Sequence, residues 1–126
     1  FLGITLQYEM CYTNVLQILD LAQMPLRAKD RGEEYPLVMG GGPCSYNPEP
    51  LAPFFDMFYI GEGETVFNQL LDEYKAYKKA GKSKKEFLER AAEIPGIYVP
   101  AFYDVAYHED GTIASFKPND SMQRKK

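Results

Sequence analysis

Two glycine-rich stretches hold the residues best placed to do chemistry: Gly40-Gly41-Gly42-Pro43-Cys44 and Gly61-Glu62-Gly63-Glu64. Gly61-x-Gly63 begins like a dinucleotide fingerprint. Val66 stands where the third glycine would be, however, and Glu62 and Glu64 bring negative charge to the place a pyrophosphate must approach. The glycine triplet lacks the Lys-Ser/Thr that completes a triphosphate-binding loop. What it offers is steric: glycines accept positive φ and let a flat or bulky partner lie against the main chain, and Pro43 stiffens the exit. Glu62 and Glu64 either flank a strand-to-helix turn, with Glu64 stabilising the helix start, or accept hydrogen bonds from a ligand or a neighbouring domain. Cys11 and Cys44 are the only thiols. They read as ordinary free cysteines, or one of them as a redox or nucleophilic thiol, and neither has a nearby His in sequence to activate it. His108 reads as a surface residue beside a turn.

The elements that must position these residues follow from periodicity. Leu2, Ile4, Leu6 and Tyr8 alternate with Gly3, Thr5 and Gln7, which predicts a strand over 2–8. Val15, Leu16, Ile18, Leu19 and Ala22 recur at helical spacing, and Thr13 or Asn14 offers a cap, so residues 12–24 read as a helix. Leu37-Val38-Met39 and Asp56 to Ile60 are short apolar runs stopped by glycine, as expected for buried parallel strands. Asn47-Pro48-Glu49 opens a short helix over 51–55. Val66, Phe67, Leu70, Leu71 and Tyr74 form the stripe of a long amphipathic helix that ends near Gly81. Ser83 with Glu86 is a capping-box signature for a further helix to about Glu93. Tyr103 to Lys117 reads as a β-hairpin turning at Glu109-Asp110-Gly111.

Alternating strands and helices specify an α/β fold: an open parallel sheet with flanking helices, to which a C-terminal β-hairpin is appended. In such sheets ligands bind at the carboxyl ends of the strands. This points to 8–11, 40–46 and 61–64. The chain divides into an α/β domain over 1–94 and a connecting segment with hairpin and tail over 95–126.

Composition narrows the function classes. The 126 residues are 45% hydrophobic, enough for a core, and carry 14 Lys+Arg against 18 Asp+Glu for a net charge of −4. That balance lacks the basic footprint of nucleic-acid binding. The basic clusters, Lys75 to Lys85 and Arg124-Lys125-Lys126, read as a solvated helix face and a tail. No apolar run reaches membrane-spanning length and no signal-peptide pattern opens the chain, so a cytoplasmic location is expected. Two cysteines and a single His give neither zinc nor iron–sulfur spacing.

In order, LGITLQYE, VMGGGPCSYNPEPL and FDMFYIGEGETVFNQLL resemble the amino-terminal cobalamin-binding-type domain of radical S-adenosylmethionine proteins over residues 1 to about 80. IPGIYVPAFYDVAYHEDGTI extends the resemblance to about residue 117. The resemblance implies a flavodoxin-like, Rossmann-like sheet, entered here at its third strand. It also implies a parent protein whose barrel carries a CxxxCxxC motif for a 4Fe-4S cluster and S-adenosylmethionine. This chain has no such cysteine triplet, which makes it an accessory domain, not catalytic by itself, whose partner is the barrel of the same parent. Gly41-Gly42 match the family's glycine pair, Cys44 stands where relatives carry His, Gly61 to Glu64 match GEGE, and Thr5 falls where a hydroxyl often ends the strand. The resemblance thus makes Thr5, Gly40, Gly41, Gly42, Pro43, Cys44, Gly61, Glu62, Gly63 and Glu64 the candidate crevice, for cobalamin or for domain docking. The alternative is a ligand-free flavodoxin-like docking module. Entry at the third strand would leave residues 2–8 as an exposed edge, closed by self-association or by the terminal hairpin.

Overall fold

The computed structural model describes residues 1–62, 64 and 66–119. Gly63 and the basic tail lie outside them. Four strands form one sheet in the order β1 (Leu2–Thr5), β2 (Val38–Gly41), β3 (Met57–Tyr59), β4 (Ile97–Tyr98). The first three are parallel, and β4 runs antiparallel to β3. The expected α/β architecture is present, with a parallel-rich mixed sheet. β4 lies in the segment expected only to connect, where two residues bounded by Pro95-Gly96 and Pro100 carry no readable periodicity.

Side chains alternate between the two faces of the sheet, and each face has its own core. Leu2, Ile4, Leu6, Val38 and Phe58 pack with Val15 and Leu19 of α1 (Tyr12–Leu21), together with Leu51 and Phe55. Leu37, Met39 and Met57 pack on the opposite face against Leu70 of α2 (Phe67–Lys79) and against Phe87, Leu88 and Ala91 of α3 (Lys84–Ala91). The crossover helix between β1 and β2 therefore covers one face, and the pair between β3 and β4 covers the other. Phe1, Tyr74 and Phe87 form an edge-on aromatic cluster on the α2–α3 side, with ring centroids 4.2 to 5.7 Å apart.

Helix boundaries follow local chemistry. α1 begins directly from a 3₁₀ turn at Glu9–Cys11, without a side-chain cap from Thr13 or Asn14. It stops at Leu21, before Met24-Pro25, because Gln23 takes φ +56° and Met24 N–H donates back to Leu19 O at 3.0 Å. With Gln23 N–H on Asp20 O at 2.9 Å, this is a Schellman closure with glutamine in the left-handed position. The capping box at Ser83 and Glu86 is formed as expected. Residues Glu49–Phe54 make a 3₁₀ segment in place of an α-helix, since Pro50 and Pro53 remove the amide donors of that turn. α2 begins at Phe67, so Glu64 lies outside its first turn and does not stabilise the helix start.

The hairpin, β5 (Tyr103–Tyr107) with β6 (Ile113–Pro118), forms a sheet of its own. It does not repair the β1 edge. Its anchor to the main sheet is aromatic: Phe58, Tyr98, Tyr103 and Phe116 succeed one another at centroid distances of 4.9 to 6.1 Å. Among the described residues no helix is long and apolar enough to cross a membrane.

Arg31 fastens the loops that lead into the strands. Its side chain is fully buried and donates through Nη1 to the carbonyls of Pro25 and Leu26, both at 3.0 Å, and through Nη2 to Phe54 O at 2.7 Å and Asp56 Oδ2 at 3.3 Å. The same carboxylate oxygen accepts from Val38 N–H at 2.8 Å at the start of β2. Removing the guanidinium would strand a carboxylate and three carbonyls. Arg31→Met is expected to cost about 3–5 kcal/mol, whereas Asp56→Asn, which keeps an acceptor for Val38 N–H, should cost about 1–3 kcal/mol. Urea unfolding of the two variants checks both magnitude and order; equal, small losses would contradict the assignment.

Candidate functional site

The carboxyl ends of β1, β2 and β3 open on a groove of ≈ 490 Å³ whose lining includes Gly3, Thr5, Met39, Gly41, Tyr59 and Phe67. It exists because helix cover is incomplete. α2 and α3 pack over β2 and β3, but among the described residues a Cβ added at Gly3 would meet nothing within 4 Å, and at Gly41 the nearest atom would be Tyr59 O at 4.0 Å. Small residues at 3, 5 and 41 keep the floor low, while Tyr59 and Phe67 give it aromatic walls.

Of the expected crevice residues, Thr5, Gly41, Gly42 and Gly61 line this groove. The others do not. Gly40 points to the α1 face, where a Cβ would lie 2.8 Å from the Phe58 ring and 3.0 Å from Phe55. Its bareness makes room for two core aromatics that pack at a centroid distance of 4.7 Å. Pro43 and Cys44 belong to the 3₁₀ turn that leaves β2, and Glu62 and Glu64 are exposed. Gly3, Met39, Tyr59 and Phe67 were not expected. The first two follow from strand alternation once Thr5 and Gly41 are fixed, since Gly3 and Met39 stand two residues before them on the same face.

The Gly42–Tyr46 turn is held by the chain itself. Gly42 has φ +103°, and a Cβ there would sit 2.8 Å from Leu6 O. Leu6 N–H donates to Gly41 O at 2.6 Å, Cys44 N–H returns to Leu6 O at 3.0 Å, and Ser45 Oγ donates to Gly42 O at 2.6 Å. The amide that a phosphate or cofactor would use at Cys44 is thereby spent on β1. Gly61 takes φ +123° to turn out of β3, and the Tyr59 hydroxyl closes the loop by donating to Glu62 O.

The thiols meet at this edge. Tyr12 Oη donates to Cys44 O at 3.3 Å, tying α1 to the turn. Partial burial raises the Cys44 thiol's pKa, and the charge and hydrogen bond of Glu9 raise it further, with Cys11 adding to the effect. A raised pKa lowers the thiolate fraction near neutrality, opposite to what a nucleophilic cysteine needs. Among the described residues no group of His, Cys, Asp and Glu is arranged to hold a metal ion.

Two outcomes follow from this geometry. Gly42→Ala is expected to destabilise by about 1–3 kcal/mol through strain and the Leu6 contact, while Gly41→Ala should stay within about 1 kcal/mol; chemical denaturation that ranks them in the reverse order would refute the contacts. In a Cys11→Ser background, Cys44 should react with iodoacetamide more slowly at pH 7.5 than free cysteine does. Glu9→Gln, by removing the negative charge, should raise that rate about two- to threefold. An unchanged rate would show that Glu9 does not govern the thiol.

No curated protein and no solved structure matches the chain. The family model described as "Radical SAM proteins, N-terminal" matches residues 1–100, which span the four-stranded sheet, its helices and both glycine turns. The chain belongs to the radical SAM N-terminal family.

Proposed function

We propose that the chain is a non-catalytic accessory domain of a radical S-adenosylmethionine protein, and that it docks through the loops at the carboxyl ends of β1 to β3 against the catalytic barrel of the same parent. The observation that carries this reading is a cluster of apolar side chains on the loops after β1 and β2: Tyr8, Met10 and Tyr46 are 53%, 85% and 72% exposed. Large apolar groups gathered at one functional edge mark an interaction surface, and in open α/β sheets that edge is where partners and ligands converge. The turns that present these groups are rigidly tied to β1 by the Leu6, Gly41 and Cys44 hydrogen bonds, so the surface is preformed.

A second reading gives the groove a cobalamin. The bare floor of Gly3, Thr5, Gly41 and Gly61 suits the face of a planar ring, with Tyr59 and Phe67 beside it. Gly40 and Gly42, by contrast, are already filled by the chain's own packing, so the fit rests on the floor alone. A bound cobalamin would supply cobalt-based radical chemistry. The domain's own residues would orient the ring and exclude water from its face.

Hydrogen exchange separates docking from its absence. In the intact parent protein the amides of 8–11 and 44–46 should exchange at least about tenfold more slowly than in the separate chain; identical rates would sink the docking assignment. Incubation of the parent with hydroxocobalamin, followed by gel filtration and a visible spectrum, tests the second reading. Colour that comigrates and is lost on Gly41→Leu supports it, and a colourless protein peak rejects it while leaving docking intact.

A further inference from the structure

A second groove, ≈ 330 Å³, lies between the 3₁₀ turn Ala28–Asp30, the Glu49–Phe54 segment and β5. It shares no lining residue with the carboxyl-edge groove. Pro53, Pro100, Tyr103 and Tyr107 are among its apolar lining, and Arg27 and Lys29 line it as well. The rings are held in place. Tyr103 stacks on Phe116 at 4.9 Å and packs on Tyr98 at 5.5 Å, while Pro100 begins a 3₁₀ turn closed by Phe102 N–H on Val99 O at 3.1 Å.

Its charge is net positive: Arg27 and Lys29 stand against one carboxylate. The single carboxylate in the lining, Glu49, accepts the Tyr98 hydroxyl at 2.6 Å. Burial, and then that same hydrogen bond, raises the Tyr98 phenol pKa, so the hydroxyl remains a donor and Glu49 keeps a fixed partner. Arg27 and Lys29 are exposed, and among the described residues neither side chain has an ion-pair partner. An apolar slot of flat rings with a net positive rim, its one carboxylate already engaged by a tyrosine hydroxyl, has a definite complement. Rigid proline and tyrosine faces suit an extended segment in the polyproline conformation, which docks with little entropy to lose. The cations select acidic residues next to it.

We propose that this groove is a docking site for an extended, proline-containing peptide segment that carries acidic residues beside its prolines. The site shares no lining residue with the carboxyl-edge groove.

The probe is a fluorescein-labelled peptide of sequence EEPPLP, titrated with the full chain and read by anisotropy, with KKPPLP and EEGGSG as comparators. Saturable binding of EEPPLP is expected, weaker by about tenfold for KKPPLP and for the Arg27→Ala/Lys29→Ala double variant, as two surface ion pairs allow. Tyr107→Ala should weaken EEPPLP about fivefold with an unchanged circular dichroism spectrum. Gly41→Ala, in the other groove, should leave it unaltered. Equal affinity for EEPPLP and KKPPLP, tight binding of EEGGSG, no saturable binding, or indifference to Tyr107→Ala and to the double variant would each overturn the proposal.

Discussion

The buried Arg31 guanidinium is the constraint on which the register of the sheet depends. β2 and β3 are only four and three residues long, and two of their Cα pairs define the whole parallel contact between them. So short a ladder cannot specify its own alignment against a two-residue slip, which would keep every side chain on its face. Asp56 supplies the missing information. Its carboxylate accepts from Val38 N–H, its own amide donates to Val38 O at 3.0 Å, and Arg31 holds the carboxylate while also fastening Pro25, Leu26 and Phe54. With the amino ends of the two strands pinned at one point, the carboxyl ends and their glycine turns fall at fixed depths. The cost of burying the charge is met by four hydrogen bonds, and only Nε is left without a partner. The return is specificity of alignment, more than net stability.

From that alignment the groove follows. Alternation sends Val38, Gly40 and Phe58 to the α1 side and Met39, Gly41 and Tyr59 to the other, and α2 and α3 cover the second side only as far as β2. On the α1 side Phe55 and Phe58 are wholly buried and need the volume that a side chain at position 40 would occupy. On the far side no described residue fills the space above Gly3 and Gly41. One face is packed tightly enough to demand a glycine, and the other is open over small residues, so the same short strand is structural on one side and available on the other.

Element type and order were legible in the sequence where local chemistry is self-sufficient. The Leu2–Ile4 alternation, the α2 stripe and the Ser83–Glu86 box each carry their own signal and each formed, although β1 ends at Thr5 and not at the expected residue 8. The parts that escaped depend on groups distant in the chain. Arg31 sits in a polar stretch that reads as a loop, and nothing near it announces that Asp56, twenty-five positions on, will bury it. β4 is two residues recruited by β3, and without the neighbour its sequence has no strand character. α1 ended early because Gln23 took a left-handed conformation usually left to glycine. At the site, Thr5 and Gly41 were visible as strand-end residues. Tyr59 and Phe67 were hidden inside patterns that equally describe core. The approach of Glu9 to Cys44 was invisible, because a 3₁₀ turn places the one and the glycine turn places the other.

The glycine triplet shows why a motif's identity and its function have to be argued separately. Gly40, Gly41 and Gly42 look equivalent in sequence, yet three different forces exclude a side chain from them. At Gly40 the force is core volume, set by two phenylalanine rings. At Gly42 it is backbone conformation, combined with a β1 carbonyl that the turn must approach closely enough for Cys44 N–H to reach it. Both would hold in a protein that binds nothing. At Gly41 neither applies: φ is ordinary for a strand and the nearest obstacle is 4.0 Å away. Folding alone would tolerate a larger residue there, and its smallness is the one element of the triplet that the fold does not require. Gly41, with its floor neighbours Gly3 and Thr5, is therefore the part of the motif that the fold leaves open, and the proposed docking or ligand contact would meet this domain first at a glycine the sheet itself could have spared.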